Sequence, residues 1–431
     1  MSKQVYDLCG VGIGPFNLGM AALADKTSLK CLFLEKNSSF NWHPGMLISG
    51  SDLQVPFLAD LVTFADPTSP YTFLNYLHHQ NRLHSFFFFQ RFDIPRQEYN
   101  EYAKWVAAQL PSCRFDSKVT NVISRDGLYE VTVNGQETIY ARHVVLGTGS
   151  VPMMPPGFKP SNDVIHSNFF LQHKAHLQKG ETIVVVGSGQ SAAEIFLELL
   201  TEKDQFGYKL AWLTRSSGFL QMESAKLGQE VFSPDYVNYF KTLSYKTRKS
   251  SLNELEHLRN GVDAATLKAI YDHMYHRSIY GKETDVLIQP LTEVNGFEDG
   301  RLHCRQWQED ISFELPADRV ILATGYKPHL PDWLLRMKEK IKWEDKHFFE
   351  IDDDYRIIFK DNRPNHLFTL TNLELASGTG ATNLGLSVRR NQVILNAVAD
   401  KPLFNLKQDT VFQNFSANFI QETFSIQKSG R

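Results

Sequence analysis

The sequence predicts an α/β fold made of two Rossmann-like dinucleotide-binding units with a helical substrate-binding insertion. Three observations predict it: a strand, glycine turn and helix over Val5 to Gly19, the return of that pattern over Thr182 to Leu200, and a polar helical stretch from Ser233 to Gly281 inside the second unit. The expected division is 1–165 for the first part of the first unit, 166–322 for the second unit with its insertion at about 230–285, and 323–431 for the return to the first.

The apolar run ending at Cys9 reads as a buried strand. Gly10 and Gly12 let the chain turn sharply and approach a pyrophosphate, and Gly14 opens a helix. Pro15 costs little there, because the N–H it lacks would have no intrahelical acceptor. Free amides and the macrodipole favour a phosphate at that helix start. A second strand, Lys30 to Leu34, ends in Glu35, whose carboxylate can accept both hydroxyls of an adenine ribose, with Lys36 beside it.

Further along, Ser39 to Met46 is an irregular loop whose Trp42 and His43 either wall a flavin ring or simply pack, and Gln54 follows in Leu53 to Phe57. Asp66 to Pro70 reads as a turn and N-cap before a helix from Tyr71 to His79. His84 to Gln90 is apolar on both faces and is expected as a buried strand or irregular core segment. Arg96 to Leu110 has helical spacing, Phe115 to Tyr140 is strand-rich, and His143 to Gly149 is a buried strand with a glycine exit. Met153 to Asp163 reads as a linker.

In the second unit the turn is Gly187, Ser188, Gly189, Gln190 and Ser191, and the next strand, Leu210 to Thr214, ends in Arg215, Ser216 and Ser217 where the first ended in Glu35. A carboxylate would repel a ribose 2′-phosphate, whereas an arginine with hydroxyl donors holds it, so this site is expected to prefer NADP(H). The alternative is an arginine that is only solvated. Helices follow over Asn253 to Leu258 and Asp263 to His276. His273 and His276 have a metal-compatible spacing but no third ligand, and no metal is expected. Strands return at Val286 to Gln289, Leu302 to Trp307, Asp318 to Tyr326, Arg356 to Phe359 and His366 to Thr371. The glycine-rich Ser377 to Asn383 leads into a last helix, Leu384 to Val398, whose start can face a flavin pyrimidine.

Composition narrows the functions further. Net charge is -3, with Lys+Arg 45 against Asp+Glu 48, so neither a nucleic-acid nor an anionic-membrane partner is expected. No apolar run reaches the roughly 20 residues of a membrane span, and no signal peptide is read, which predicts a cytoplasmic protein. The four cysteines are far apart with no CxxC pair, which argues against a zinc site and a redox dithiol. Two nucleotide sites without a dithiol leave hydride transfer from nicotinamide to flavin, with oxygen as the acceptor.

At this point the chain resembles the N-hydroxylating flavin monooxygenases of siderophore biosynthesis, the lysine, ornithine and diamine hydroxylases. The resemblance rests on Gly10 to Leu18, Trp42 to Met46, Phe57 to Leu61, Pro70 to Leu77, Gly187 to Ser191, and Asp318 to Tyr326 with Pro331. It implies FAD on Gly10, Gly12, Gly14, Pro15, Glu35 and Lys36, with Trp42, His43 and Gln54 along the flavin. It implies NADPH on Gly187, Gly189, Gln190, Ser191, Arg215 and Ser216, and it adds Thr324, Tyr326 and Asn383 to the cofactor side. Gln54, His276 and Asn383 become the catalytic candidates. The implied reaction is attack of a neutral primary amine on a C4a-hydroperoxyflavin formed with O2, in a homo-oligomer, either tetramer or dimer.

Departures from that family bear on the substrate. Ala59 stands where the amino-acid hydroxylases have a lysine that pairs with the substrate α-carboxylate, and Gln229 stands where they have Asn or Asp. A buried carboxylate without its cation costs several kcal/mol. The expected substrate is therefore a small decarboxylated amine such as putrescine, cadaverine, diaminopropane or histamine. Its binding residues would be Ala59, Gln229, His276 and Leu384. The competing expectations are lysine N6-hydroxylation with Lys226 as a replacement cation, ornithine N5-hydroxylation, a nucleotide-binding protein without turnover, and a flavin monooxygenase acting on sulfur or ketones.

Overall fold

The computed structural model describes residues 4–408 and 410–418. At its centre the strand Val5–Val11 runs parallel to Cys31–Leu34 on one side and to the end of Glu137–Leu146 on the other. Cys113–Arg114 extends this sheet beyond Cys31–Leu34, and Leu367–Thr369, arriving late in the chain, pairs with Glu137–Leu146. An antiparallel meander, Val119–Arg125 and Leu128–Val133, runs into the first half of Glu137–Leu146. Strand ends buried on both faces read as apolar runs, which is why the ends Leu8 to Val11 and Val144 to Leu146 were visible in the sequence.

A second parallel sheet repeats this order. Thr182–Val186 lies between Lys209–Leu213 and Arg319–Leu322, flanked by Val286–Gln289 and Val164–His166, and the meander Thr292–Glu298, Arg301–Gln306 and Ile311–Pro316 precedes the return strand. Two crossovers join the sheets and run side by side, with Ser150–Pro152 pairing antiparallel to Tyr326–Pro328. Each sheet covers its faces with helices: Pro15–Ala24 packs on Leu384–Ala399 beside the first sheet, and Gln190–Phe206 packs on Ala264–Ser278 beside the second.

Three local expectations change. His84 to Gln90 is not a strand and lies mostly at the surface: it forms the helix Leu83–Phe89 with no fully buried residue, Phe86 packs its ring on Phe57 and Phe73 at 5.2 and 5.7 Å, and Phe87 and Phe88 are 67% and 75% exposed. An all-apolar run fits either period, so its burial depends on neighbours that sequence does not show. Arg356 to Phe359 is not a strand of a sheet but makes isolated bridges to Phe368, Ile351 and Ile341, so its few residues are divided among three partner segments. The helix expected from Tyr71 begins at Phe73, capped by the Thr72 hydroxyl, which accepts the Asn75 N–H.

The sheets are tied together by a buried ion pair. Arg96, at the start of the helix Arg96–Ala107, donates two hydrogen bonds to Glu194 at 2.7 and 2.9 Å, and Glu194 lies in the second turn of Gln190–Phe206. Arg96 also donates to the Met46 carbonyl at 3.1 Å, so one guanidinium grips the Trp42 to Met46 loop and the second glycine turn's helix together. Removing one partner strands the other's charge, so Arg96→Met should lower stability in urea by about 3–5 kcal/mol. The double variant Arg96→Met/Glu194→Met should lose less than Arg96→Met alone, and an equal or greater loss would show that the pair itself carries the stability.

Candidate active site

The two glycine turns are built alike. Gly12 and Gly187 have φ of +88° and +136°, and a Cβ on either would stand 2.5 or 2.4 Å from a carbonyl of the return strand's exit, that of Gly147 or Ala323. A Cβ on Gly10 would run into the Phe33 ring at 2.2 Å. Gly14 and Gly189 differ: each caps its helix in an extended conformation, and a Cβ there would meet nothing within 4 Å. Packing therefore does not require glycine at these two positions. The bare backbone leaves a cradle at each helix N-terminus that a Cβ would fill, and such a cradle fits a dinucleotide pyrophosphate.

Around the first cradle, the Glu35 carboxylate accepts the Ile13 N–H at 2.9 Å and the Asn37 N–H at 3.0 Å, so it is pinned where the turn ends, with Lys36 exposed beside it. The Asn17 amide donates to the Gly12 carbonyl at 2.7 Å and holds the turn from beneath. At the second, the Gly187 N–H bonds the Leu213 carbonyl at 2.9 Å and the Ser188 and Ser216 hydroxyls meet at 2.9 Å. Arg215 is exposed and makes no ion pair among the described residues, while the Trp307 indole N–H holds its carbonyl at 2.8 Å. A free guanidinium and two serines at this strand end fit a 2′-phosphate. Ser191 lies in the first turn of the same helix. Gln190 is engaged within the protein, donating to Glu194 and Asp263 and accepting the Asp263 N–H at 2.8 Å.

The Trp42 to Met46 loop lies between the cradles. His43 has a left-handed φ of 48°, and its ring meets Trp42 at 4.9 Å and Tyr326 at 5.8 Å; Tyr326 in turn meets His166 at 5.1 Å. Burial first, and the Arg96 charge second, push the His43 pKa down to about 4, so its imidazole is neutral at pH 7. A Cβ on Gly45 would fall 1.9 Å from the Asn168 carbonyl, which shows how closely the loop sits on the second unit. Thr324 donates to the Met153 carbonyl at 2.6 Å and so ties the two crossovers. Gln54 is exposed on the strand Asp52–Pro56.

A third region assembles at the start of Leu384–Ala399. Asn383 caps this helix by accepting the Leu386 N–H at 3.1 Å, and Leu384 is buried behind it. A Cβ on Gly385 would lie 3.3 Å from the Asn383 oxygen and 3.4 Å from the Ala59 methyl, which brings Ala59, Asn383 and Gly385 into one cluster. Ala59 is held there by Asp60, whose carboxylate accepts the N–H groups of Val62, Thr63 and Phe73 at 2.7–2.9 Å. Burial raises the Asp60 pKa despite these bonds. Arg390, fully buried, donates to the carbonyls of Ala381 and Asn383. Gln229 ends the short helix Lys226–Gln229, three residues before Phe232, whose ring would be 3.7 Å from a Cβ on Gly380. Lys226 is exposed.

His276 is not brought to this cluster. Its helix meets the second turn through the cap Asp263, and His276 lies roughly 18 Å farther along it. Its neighbour Arg277 pairs with Asp204 and Asp285 at the opposite end of Gln190–Phe206. The sequence located this helix, but the direction in which it leaves Gln190 depends on a tertiary contact. Asn17, Asp60, Arg96 and Arg390 were not assigned roles from sequence. Asn17 and Asp60 stood in recognised motifs, and Asp60-Leu61-Val62-Thr63 carries the local signal of a side chain that accepts backbone amides two and three residues on.

Residues 4–328 match the family described as L-lysine 6-monooxygenase/L-ornithine 5-monooxygenase. The chain is 39% identical to the putrescine N-hydroxylase of Shewanella oneidensis, over 96% of this chain and 85% of that one. It superposes on the FAD-bound cadaverine monooxygenase of desferrioxamine biosynthesis from Erwinia amylovora with a TM-score of 0.91 and 34% identity, covering 96% of this chain and 99% of that one. The ornithine N-hydroxylase of Kutzneria sp. 744, solved with reduced FAD, NADP+ and L-ornithine, gives a TM-score of 0.86 at 26% identity, over 92% and 99%.

The contrast between the glycines makes a prediction that packing alone would not. Gly14→Ala should leave the thermal midpoint of the FAD-free protein within about 2 °C while reducing FAD retained after gel filtration, whereas Gly12→Ala should lower the midpoint as well. Equal loss of stability in both would mean that the first cradle is a packing feature. At the second cradle, Arg215→Ala should raise the KM for NADPH roughly tenfold or more with little change for NADH, as removal of one charge-assisted pair implies.

Proposed function

Because the chain belongs to the L-lysine 6-monooxygenase/L-ornithine 5-monooxygenase family, we propose that it is an NADPH- and O2-dependent flavin enzyme that N-hydroxylates one primary amine of a small decarboxylated amine, of the putrescine, cadaverine, diaminopropane or histamine type, for siderophore assembly. The observation that carries the substrate reading is Ala59. It is buried against Gly385 at the start of the last helix, in the segment where amino-acid hydroxylases resembling this chain carry a lysine for the α-carboxylate. Arg390, nearby, gives its two terminal nitrogens to the carbonyls of Ala381 and Asn383, and without a lysine at position 59 a buried α-carboxylate loses the cation that would pair with it. The relatives that act on putrescine and cadaverine support the same reading.

In this account the first turn, Glu35 and Lys36 hold the FAD adenosine and pyrophosphate, and the second turn with Arg215 and Ser216 holds NADPH. When bound, these cofactors supply a hydride and a reduced ring that activates O2. The chain's own residues do the rest. Trp42, His43 and Tyr326 close the site to water, and His43, neutral at pH 7, carries no charge into it. Asn383 spends its side-chain oxygen on the helix cap and keeps its amide nitrogen to donate toward a ligand. Leu384 and Ala59 offer an apolar wall that favours the uncharged, nucleophilic form of the reacting amine. We infer the division of labour given above, with 1–165 and 323–431 serving FAD and 166–322 serving NADPH, in a cytoplasmic homo-oligomer.

The test is hydroxylamine formed with NADPH and FAD across putrescine, cadaverine, diaminopropane, histamine and lysine at one concentration. Product from one or more decarboxylated amines, with little from lysine, is expected; product from lysine alone would overturn the substrate reading. Ala59→Lys should cut diamine turnover at least roughly tenfold, because it sets a cation near a second ammonium. Unchanged turnover would remove Ala59 from the amine site.

A further inference from the structure

The short helix Lys226–Gln229 and the turn Glu230–Phe232 are too short to hold themselves, since helix nucleation is unfavourable and four residues close few bonds. Their position comes from what grips them. On one side lies the glycine turn Gly378–Thr382. A Cβ on Gly378 would meet Tyr236 and Phe240 at 3.3 Å, and one on Gly380 would meet Phe232 at 3.7 Å. That turn runs directly into Asn383.

The other grip comes from a segment beyond the last helix. The N–H groups of Phe412 and Gln413 donate to the two oxygens of Glu230 at 3.1 and 2.9 Å, and the Gln413 side chain donates to the Leu227 carbonyl. The Thr410 N–H and hydroxyl both donate to Asp235, the N–H at 2.8 Å. Phe415 then sets its ring against Tyr236 at 5.0 Å and over Tyr239 at 6.1 Å, joining the small apolar cluster of Val231, Tyr236, Phe240 and Leu258. Glu230 thus anchors two successive amides, and Phe415 anchors a ring, at either end of the stretch that presents Gln229.

We propose that the segment 410–415 is a strap that positions Leu227 to Asp235 against the Gly378–Thr382 turn, and thereby sets the affinity for the amine without touching either dinucleotide. Glu230 and Phe415 are its positioning residues. The proposal rests on the reading of Gln229, Ala59 and Asn383 as the amine side of the site.

The experiment uses the full FAD-loaded chain with Phe415→Ala and, separately, Glu230→Ala. Each should raise the KM for putrescine roughly tenfold, the size expected when an aromatic or charge-assisted anchor is lost, with the KM for NADPH unchanged and more hydrogen peroxide per hydroxylamine. Phe415→Tyr, which keeps the ring, should restore the KM. Backbone amides of 227–235 should exchange with deuterium roughly tenfold faster in both alanine variants, with the amides of Thr182–Val186 unaffected. A KM for putrescine within twofold of the parent in both variants, or a parallel rise for NADPH, would overturn the strap. If the parent chain hydroxylates no amine, the substrate reading fails, and unchanged exchange at 227–235 would then overturn the strap by itself.

Discussion

A pyrophosphate can approach a peptide backbone only where N–H groups point outward and no side chain intervenes, and the chain meets that requirement twice. Gly14 and Gly189 are bare although no neighbouring atom demands it. Much of the fold serves these two positions. Each needs a buried strand to deliver it, a positive-φ glycine to turn the chain, and a return strand whose exit carbonyl lies close against that glycine, as Gly147 does for Gly12 and Ala323 for Gly187. The sheets around them repeat one strand order, which is the economical way to build the same cradle twice.

Two cradles become one reaction site only if they keep a fixed separation. The Arg96–Glu194 pair, the close seating of Gly45 on Asn168 and the ladder from Trp42 through His43 and Tyr326 to His166 all cross between the units. They meet at the loop expected to wall the flavin. The crossovers at Ser150–Pro152 and Tyr326–Pro328 reinforce the same junction. Asn383, Ala59 and the Gly378–Thr382 turn gather at the start of Leu384–Ala399, where Arg390 gives its two terminal nitrogens to the carbonyls of Ala381 and Asn383. In the proposed reading, chemistry is set by the nucleotide cradles and choice of amine by the absence of a lysine at position 59.

The parts of this arrangement that were legible in sequence are those with local physics. Both glycine turns, the Glu35 and Arg215 strand ends and the doubly buried strands follow from spacing and residue type alone. The segment Leu83–Phe89 was not legible, because an apolar run carries no period and its exposure depends on what fails to cover it. His276 lay on a correctly read helix but at the wrong end of it, since the contact between Asp263 and Gln190 fixes which end faces the turn. Asp60 carried a local signal for its bonds to Val62 and Thr63 but none for its bond to Phe73, which approaches only in the fold, and Asn17 and Arg390 act on carbonyls that nothing but the folded turn and helix start aims at them.

The central claim is that the site rejects an α-carboxylate. Putrescine and ornithine differ by that group alone, as do cadaverine and lysine, so the ratio of kcat/KM within each matched pair isolates it. The account predicts a preference for the decarboxylated member of at least about a hundredfold, the size of a buried charge left unpaired. A ratio near one, or a preference for ornithine or lysine, would contradict it and would place a cation beside Ala59.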